Sequence, residues 1–411
     1  MRFRPRRGFV SPSESLWIRG FRRRWRGSKQ PVRQVGPCFV PARRNRVRDA
    51  GPQWERAAAM RVEDLETPVP VVELPVMERN LRRMQDYCDR HGIKLRPHIK
   101  THKMPELARQ QVALGAVGIT CQKLGEAEVM ADAGLDDIFI SYPLIGAGKA
   151  PRLAALAKRV RMRVAVDNDV ALDTVAEAAR EAGTPIGVVV EFDSGNKRTG
   201  VETVAEALAL AKRIAATENL RFDGLMTYPT SAATARFVEE ARPRFAAEGL
   251  EIPLVTGGGS PGAMRVHEVA PIDEMRVGTY IYNDRAMLGS GAATLEDCAM
   301  VVHATVISRP AEGRAILDCG SKTLSSDLVA PEVGSGYGLL VDYPDAVITR
   351  VNEEHGTVDV SRCAVKPAIG ERVRIIPNHT CVVTNLHDRV VFARDGEVVE
   401  QRPVAARGRT T

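Results

Sequence analysis

Between residues 75 and 290, short runs of β-branched residues alternate with amphipathic stretches in which apolar residues recur every three or four positions. This alternation predicts repeated strand and helix units on a parallel sheet. Several of the helical stretches end at a glycine, which is typical of a helix C-terminus. The eight predicted strands span residues 95–100, 117–121, 138–142, 164–167, 186–193, 222–228, 254–257 and 275–281.

Eight strands separated by helices favour a closed (β/α)8 TIM barrel over an open sheet, and they place ligand chemistry at the carboxyl ends of the strands. After residue 295 the pattern changes to short β runs joined by Gly, Pro and Asp turns. We therefore predict three parts: a leader at 1–59, a barrel at 60–292 and an all-β domain at 293–411.

The net charge of +7 is distributed unevenly along the 411 residues. Residues 1–59 contain 15 Arg and one Lys against three acidic residues, a net of +13, which leaves −6 for residues 60–411. An acidic body argues against a nucleic-acid partner, because phosphate binding needs clustered cations on the folded surface. The leader is predicted to be disordered, and either an organelle-targeting peptide or an over-extended start before Met60 explains it.

The lengths of apolar runs and the spacing of cysteines indicate the cellular compartment in which the protein is expected. The leader at 1–59 has no apolar run long enough for a membrane span or the core of a signal peptide. Its seven cysteines are scattered without paired spacing, which is not typical of a secreted disulfide framework. We therefore expect a cytoplasmic protein without a membrane partner.

Lys100 is the first candidate for chemistry. It ends the first predicted strand, within the segment Leu95-Arg-Pro-His-Ile-Lys-Thr-His-Lys103. A lysine at the mouth of a barrel can be partly desolvated, which favours the neutral amine that forms an imine with a carbonyl group. The alternative is that these basic residues form a solvated cluster.

A glycine-rich turn, Gly257-Gly-Gly-Ser260, follows the seventh predicted strand. In such turns backbone N–H groups can converge on a phosphate, and barrels often bind phosphate near strands seven and eight. Tight turns without a ligand use the same residues. The position of the turn favours a phosphate site.

His379 and Cys381 are two residues apart in the segment Pro377-Asn-His-Thr-Cys381. If this segment is a strand, both side chains project from one face. An imidazole and a thiolate suit zinc and leave coordination positions open. Buried structural His and Cys residues are the alternative.

Five motifs together resemble the D-threonine aldolase and D-serine dehydratase family, whose members have an alanine racemase-like barrel of fold type III followed by a β-domain. The resemblance covers about residues 60–408. In chain order the motifs are Arg96-Pro-His-Ile-Lys100, Cys121-Gln-Lys123, Gly257-Gly-Gly259, Gly278-Thr-Tyr280 and Pro377-Asn-His-Thr-Cys381.

The resemblance implies a pyridoxal 5'-phosphate cofactor bound to Lys100 and a divalent metal, zinc or else Mn or Co, bound by His379 and Cys381. It further implies that Arg198 faces the pyridine nitrogen and that the enzyme is a homodimer acting on a D-amino acid. The remaining implied cofactor contacts are Gln122, Tyr228, Gly258, Gly259, Ser260 and Tyr280.

The metal motif also bears on the reaction. Aldolase members resemble His-x-Asp at this site and dehydratase members His-x-Cys, as here, and the glycine turn reads Gly-Gly-Gly-Ser-Pro rather than Gly-Gly-Gly-Thr-Gly. We therefore predict a lyase that dehydrates a β-hydroxy D-amino acid such as D-serine or D-3-hydroxyaspartate. Retro-aldol cleavage to glycine and an aldehyde is the first alternative. Three other classes are an amino-acid racemase, a cofactor-carrying homeostasis protein and a nucleic-acid-binding protein.

Overall fold

The computed structural model describes residues 60–411. The Arg-rich leader at 1–59, for which disorder was predicted, lies outside the described residues. Within residues 60–411, none of the helices is both long enough and apolar enough to cross a membrane.

Eight parallel strands form the first sheet, and each overlaps one of the eight predicted strands. The sheet closes where His98 forms a parallel bridge with Thr120, whose amide N–H donates to the carbonyl of Pro97 at 2.8 Å. The predicted (β/α)8 barrel is therefore confirmed. In chain order the strands are Lys94–Leu95, Ile119–Cys121, Asp137–Ile140, Arg161–Val166, Ile186–Phe192, Leu220–Thr227, Val255–Gly258 and Glu274–Arg276.

Helices connect the barrel strands and pack their apolar faces against the sheet. Their ends follow the local sequence: Asn168 accepts a hydrogen bond from the amide of Ala171 at the start of one helix, and Gly183, at φ +65°, ends it. The helices are Leu74–Arg90, Pro105–Ala113, Leu124–Asp132, Lys149–Ala157, Asp169–Ala182, Val204–Ala215, Ala232–Ala247, Val266–Val269 and, after the last strand, Arg285–Gly289.

The first and last barrel strands are shorter than predicted. Pro97 has no N–H to continue the ladder, and the chain turns into a 3-10 helix at Ile99–Thr101. A second 3-10 helix, Thr279–Ile281, follows the last strand. Lys100 therefore lies on a tight turn at the carboxyl end of the barrel, where its side chain can reach the barrel mouth.

The C-terminal region is a nine-stranded β structure with two short helices, Ser321–Leu324 and Thr380–Leu386. This confirms the predicted all-β second part. Its strands are Val69–Glu73, Met300–Ala311, Arg314–Leu317, Leu339–Leu340, Val347–Val351, Gly356–Asp359, Arg372–Ile376, Arg389–Arg394 and Glu397–Pro403.

One strand of this sheet comes from the N-terminal side of the barrel. Val69–Glu73 pairs antiparallel with Met300–Ala311 and parallel with Arg389–Arg394. The structure thus differs from the predicted barrel start at residue 60. A closed barrel has no free edge for a ninth strand, whereas the β-domain offers backbone partners on both sides of this one.

Buried side chains of the barrel and the β-domain belong to one continuous apolar cluster. Tyr282, which follows the barrel, and Phe392, in the β-domain sheet, are both fully buried in it. Such dense packing resists relative movement of the two parts. The β-domain is therefore held in place beside the mouth of the barrel.

Candidate active site

A cavity of about 710 Å³ lies at the carboxyl ends of the barrel strands and is bounded on its other side by the β-domain. Its volume falls within the range of small-molecule sites. The cavity brings together eight of the ten residues predicted to act in the site, from segments far apart in the chain. Those eight are Lys100, Gln122, Arg198, Tyr228, Gly259, Ser260, His379 and Cys381.

Lys100 lines the cavity together with the predicted cofactor contacts and the predicted metal pair. Its own amide faces Nδ1 of His98 at 3.4 Å, and the next residue, Thr101, is fully buried with its hydroxyl 3.2 Å from Sγ of Cys381. The short turn that presents the lysine to the cavity therefore also contacts the predicted metal pair. This contact joins residues 280 positions apart in the sequence.

His98 orients the side chain of Gln122. Because Nδ1 of His98 faces the Lys100 amide, its Nε2 carries the proton and donates to Oε1 of Gln122 at 3.0 Å. Burial, together with the nearby charge of Lys100, holds the pKa of His98 well below its usual value, so the ring stays neutral. The amide nitrogen of Gln122 is thereby left to donate to a group in the cavity.

The glycine turn forms one end of the cavity. Gly259 has φ +123°, which favours glycine, and a 3-10 helix starts at Ser260. Thr279, which starts the second 3-10 helix, also lines the cavity. The first amide N–H groups of a helix have no intrahelical acceptor, so this end of the cavity offers donors suited to a phosphate.

Two predicted phosphate contacts do not line the cavity. Gly258 is paired with Thr230, whose hydroxyl accepts from its amide at 3.0 Å. The hydroxyl of Tyr280 is buried and accepts a hydrogen bond from Gln111 at 2.8 Å. This hydroxyl does not line the cavity here, and its contact with the phosphate stays a prediction. The turn after Gly278 directs the ring into the core instead.

Arg198 and Tyr228 lie together on the barrel side of the cavity. The guanidinium carbon of Arg198 is 4.9 Å from the centre of the Tyr228 ring, an arrangement that allows a cation–π contact. Both residues follow barrel strands, so they lie at the carboxyl ends, where a barrel places its ligand contacts.

His379 and Cys381 do not lie on a strand, so the predicted strand is wrong. His379 is the extended N-cap residue of the helix Thr380–Leu386, and Cys381 lies in its first turn. The β-branched residues Val382, Val383 and Thr384 resemble a strand in sequence. The two side chains nevertheless converge at the cavity, because a helix start also brings neighbouring residues close together.

His379 and Cys381 stabilise each other in their charged forms, imidazolium and thiolate. The hydrogen bond with Cys381 raises the pKa of His379 to about 9, against the effect of burial. Burial alone would raise the pKa of the Cys381 thiol, but the hydrogen bond and charge of His379 and the charge of Lys100 hold it below its usual value. A readily formed thiolate is the form that binds metal. Within residues 60–411, no group of three or more His, Cys, Asp or Glu residues is placed to hold a metal ion.

Four charged residues of the cavity were missed by the sequence reasoning. Arg276 is fully buried, donates to Thr256 and to the carbonyl of Thr227, and burial lowers its pKa to about 10. Its place at the end of the eighth strand was the signal that could have identified it. Glu191, one residue before the end of the fifth strand, carries the same signal, whereas Asp284 and Asp327 carry none and are brought to the cavity by the fold.

Two protein families match consecutive parts of the chain. The alanine racemase N-terminal domain family matches residues 72–286, and the serine dehydratase domain family matches residues 299–393. These limits correspond to the barrel and to most of the β-domain.

Known relatives combine the same two parts. A D-threonine aldolase of an Arthrobacter species is 37% identical over 361 residues, which cover 84% of this chain and 93% of the relative. The D-threo-3-hydroxyaspartate dehydratase of Delftia sp. strain HT23 is 33% identical over 347 residues, or 77% of this chain and 91% of the relative. The crystal structure of D-threonine aldolase from Filomicrobium marinum superposes with a TM-score of 0.78 at 34% identity and covers 87% of this chain and 100% of that one. The chain therefore belongs to the alanine racemase-like family of lyases that includes these aldolases and dehydratases, and it is an enzyme.

Proposed function

We propose that this protein is a pyridoxal phosphate- and divalent metal-dependent lyase that acts on β-hydroxy D-amino acids. The observation that carries the proposal is that one cavity contains Lys100, the glycine turn at Gly259 and Ser260, and the His379 and Cys381 pair. A racemase of this fold needs only the first two features. The pair therefore favours a lyase over a racemase.

The cavity fits the cofactor. Lys100 would hold it through its amine, and the amides at Ser260 and Thr279 would hold its phosphate. Gln122, oriented by His98, would donate a hydrogen bond to the ring, and Arg198 would face the pyridine nitrogen. Gly278 also supports the fit, since a Cβ there would lie 2.7 Å from the carbonyl oxygen of His98 and would push the cavity wall out of place.

The donor set also fits a metal. His379 and Cys381 would supply a nitrogen and a sulfur ligand, which zinc prefers, while Mn and Co are the alternatives. Two protein ligands leave positions free for substrate and water. When bound, pyridoxal phosphate would draw electrons from the substrate α-carbon, and the metal would stabilise charge on the β-oxygen.

The protein groups then have distinct tasks. The Nζ of Lys100, released from the cofactor when the substrate amine takes its place, would take the proton from the substrate α-carbon. For dehydration the Cβ–O bond breaks and water leaves, and hydrolysis of the resulting enamine yields a 2-oxo acid and ammonia. We propose dehydration as the main reaction because Cys381 stands in the second ligand position.

Retro-aldol cleavage is the second candidate. It breaks the Cα–Cβ bond after the β-hydroxyl loses its proton, and it yields glycine and an aldehyde. The 37% identity to a D-threonine aldolase favours it. The test is incubation with D-serine and D-threonine, with assays of 2-oxo acid plus ammonia against glycine plus aldehyde. Glycine as the main product would reject dehydration, and a racemised substrate without either product set would reject the lyase.

We also propose a homodimeric, cytoplasmic protein without a nucleic-acid partner. The net charge of −6 on residues 60–411 supports the last point. The homodimer rests on the family resemblance, and sedimentation velocity of the purified protein tests it. A monomer at micromolar concentration would reject it.

A further inference from the structure

Lys103 is a buried cation that the proposed chemistry does not use. It ends the turn at residues 99–103, here called the Lys100 turn, where its amide donates to the carbonyl of Ile99 at 2.7 Å. Its side chain is 8% exposed and does not line the cavity. A lysine is rarely buried this deeply unless its ammonium group is paired, so the partners of Lys103 indicate its role.

The ammonium group of Lys103 joins two helices. Its Nζ donates to Oδ1 of Asn385 at 2.8 Å and lies 3.3 Å from Oε1 of Glu126, whose side chain is 2% exposed. Asn385 belongs to the helix Thr380–Leu386 of the β-domain, and Glu126 belongs to the barrel helix Leu124–Asp132. One lysine thus bridges the two parts of the protein.

The barrel side of this bridge leads to a predicted cofactor contact. The other carboxylate oxygen of Glu126, Oε2, accepts hydrogen bonds from the amides of Gln122 at 2.7 Å and Lys123 at 3.3 Å. A buried carboxylate needs a partner, because an isolated buried charge is costly, and Lys103 supplies it. The backbone position of Gln122 therefore depends on the pair of Lys103 and Glu126.

The β-domain side of the bridge leads to the metal pair. Asn385 lies four residues after Cys381 on the same helix, which is about one helical turn. The hydroxyl of Thr101 lies 3.2 Å from Sγ of Cys381. Thr101 and Lys103 thus attach the Lys100 turn to this helix at two points, one residue and three residues after Lys100.

The backbone of Lys103 is in an unfavourable conformation. Its φ of +57° lies in the left-handed region, which disfavours a residue with a Cβ. The carbonyl of Lys103 accepts from the amide of the fully buried Ala406 at 3.0 Å, and the side chain is held as described above. Such a conformation persists only where surrounding contacts hold it. Loss of a contact on either side would therefore let the Lys100 turn relax.

We propose that Lys103 is a positioning residue that couples metal binding to cofactor binding. The metal ion fixes the helix that starts at the metal pair, the cofactor fixes Lys100 and Gln122, and Lys103 holds these parts in one arrangement. Each ligand therefore meets a turn that the other has already ordered, and it binds more tightly. This inference rests on the proposed function, because that function supplies both ligands.

The test compares dissociation constants for each ligand with and without the other. Pyridoxal phosphate is titrated into cofactor-free protein and followed by its imine absorbance, with or without saturating Zn²⁺. The Kd for Zn²⁺ is measured by chelator competition, with or without saturating cofactor. We expect each ligand to lower the Kd of the other by roughly fivefold or more, and by the same factor, because coupling is reciprocal. At saturating cofactor the imine forms with or without the metal.

The outcomes separate the inference from the proposed function. If both ligands bind but neither changes the Kd of the other, the coupling is absent and the lyase proposal stands. If pyridoxal phosphate or the metal ion does not bind at all, the proposed function and the inference are both overturned.

Asn385→Ala tests the link to the metal helix, because it removes the acceptor of Lys103 and leaves the ion pair with Glu126 in place. We expect the coupling factor to fall towards one. Asn385→Asp keeps an acceptor and should retain the coupling. Asn352→Ala, at an exposed asparagine outside the cavity, is the matched control. Full coupling in Asn385→Ala, or an equal loss in Asn352→Ala, would reject this link.

A second variant tests the lysine itself, since Asn385 also accepts from the amide of Gly408 at 3.1 Å. Lys103→Met combined with Glu126→Gln removes the ion pair without leaving an unpaired buried carboxylate. The new glutamine oxygen can still accept from the Gln122 amide. We expect this variant to keep its near-ultraviolet circular dichroism and to lose the coupling. Coupling retained in a folded double variant would overturn the role of Lys103.

Discussion

The carboxylate of Asp327 accepts a hydrogen bond from Nδ1 of His379 at 2.7 Å. This contact uses Nδ1, so Nε2, the nitrogen on the side of Cys381, is the one that a metal ion would take. It also joins two segments 52 residues apart, because Asp327 lies on the loop after the helix Ser321–Leu324 and His379 starts the helix Thr380–Leu386. The orientation of the imidazole therefore depends on a residue that sequence reasoning did not select.

Replacing Asp327 should weaken metal binding without removing a ligand. We expect Asp327→Ala to raise the Kd for Zn²⁺ or Co²⁺ by roughly 10- to 100-fold, the usual effect of losing such a supporting carboxylate. The Kd is measured by competition with a chelator, and Co²⁺ also reports the thiolate bond by its absorbance. In Asp327→Asn the amide oxygen can still accept the hydrogen bond, so the Kd for the metal ion should rise less than in Asp327→Ala. Unchanged Kd values in both variants would reject this role.

Lys100 should carry the cofactor. The purified protein is expected to absorb at roughly 410 to 430 nm, the range of pyridoxal imines, and Lys100→Ala should lose this band while remaining folded. Lys94→Ala, which alters an exposed lysine of the first barrel strand, should keep it. If the band persists in Lys100→Ala, another amine holds the cofactor.

The metal pair should be needed for turnover but not for cofactor binding. His379→Ala and Cys381→Ala, or treatment with a strong chelator, should abolish lyase activity and leave the imine absorbance in place, because the predicted cofactor ligands lie elsewhere in the cavity. His355→Ala, at an exposed histidine outside the cavity, serves as the control. Full activity in chelator would favour a metal-independent reaction such as racemisation.

The hydrogen bond from His98 to Gln122 should support cofactor binding. His98→Phe keeps a ring of similar size but leaves the Gln122 amide free to rotate, and we expect cofactor affinity to fall by roughly tenfold. If the two residues act as one unit, adding Gln122→Ala to His98→Phe should lower the cofactor affinity only slightly further. Strictly additive losses, measured by cofactor titration of each variant, would show that His98 acts independently of Gln122.

Buried histidines should destabilise the fold at mildly acid pH. Burial lowers the pKa of His102 to about 4, although hydrogen bonds with Gln111 and the Met104 amide oppose the shift. The folded-state pKa thus lies below the unfolded value of about 6.5, so the stability from neutral His102 is present above pH 6.5 and is lost as the pH falls towards 4. The loss can reach about 3 kcal/mol.

Urea unfolding at pH 7.5, 5.5 and 4.5 measures this effect. His102→Gln should be less stable at pH 7.5, because it loses a buried packed ring, but it should show a shallower decline towards pH 4.5. Parallel declines in the variant and the natural protein would assign the acid sensitivity to other groups, including His98 and His303, whose pKa values are also lowered by burial.

Much of the barrel followed from local sequence. The period of apolar residues identified all eight strands, because each strand and helix must bury one face regardless of its distant neighbours. The position of Lys100 and the glycine turn at strand ends followed from the same pattern. The length of the last strand was not predicted correctly. The chain forms a 3-10 helix after Gly278, and the Tyr280 hydroxyl lies away from the cavity as a result.

The sequence by itself determined the two-part architecture and most residues of the cofactor end of the cavity, since strand order alone brings those residues to one rim. Only the tertiary structure decided that Val69–Glu73 joins the β-domain, that His379 and Cys381 start a helix, and that Asp327 orients His379. These outcomes depend on hydrogen bonds between segments far apart in the chain. Local periodicity carries no information about such contacts, because it reports which face of an element is buried and not what buries it.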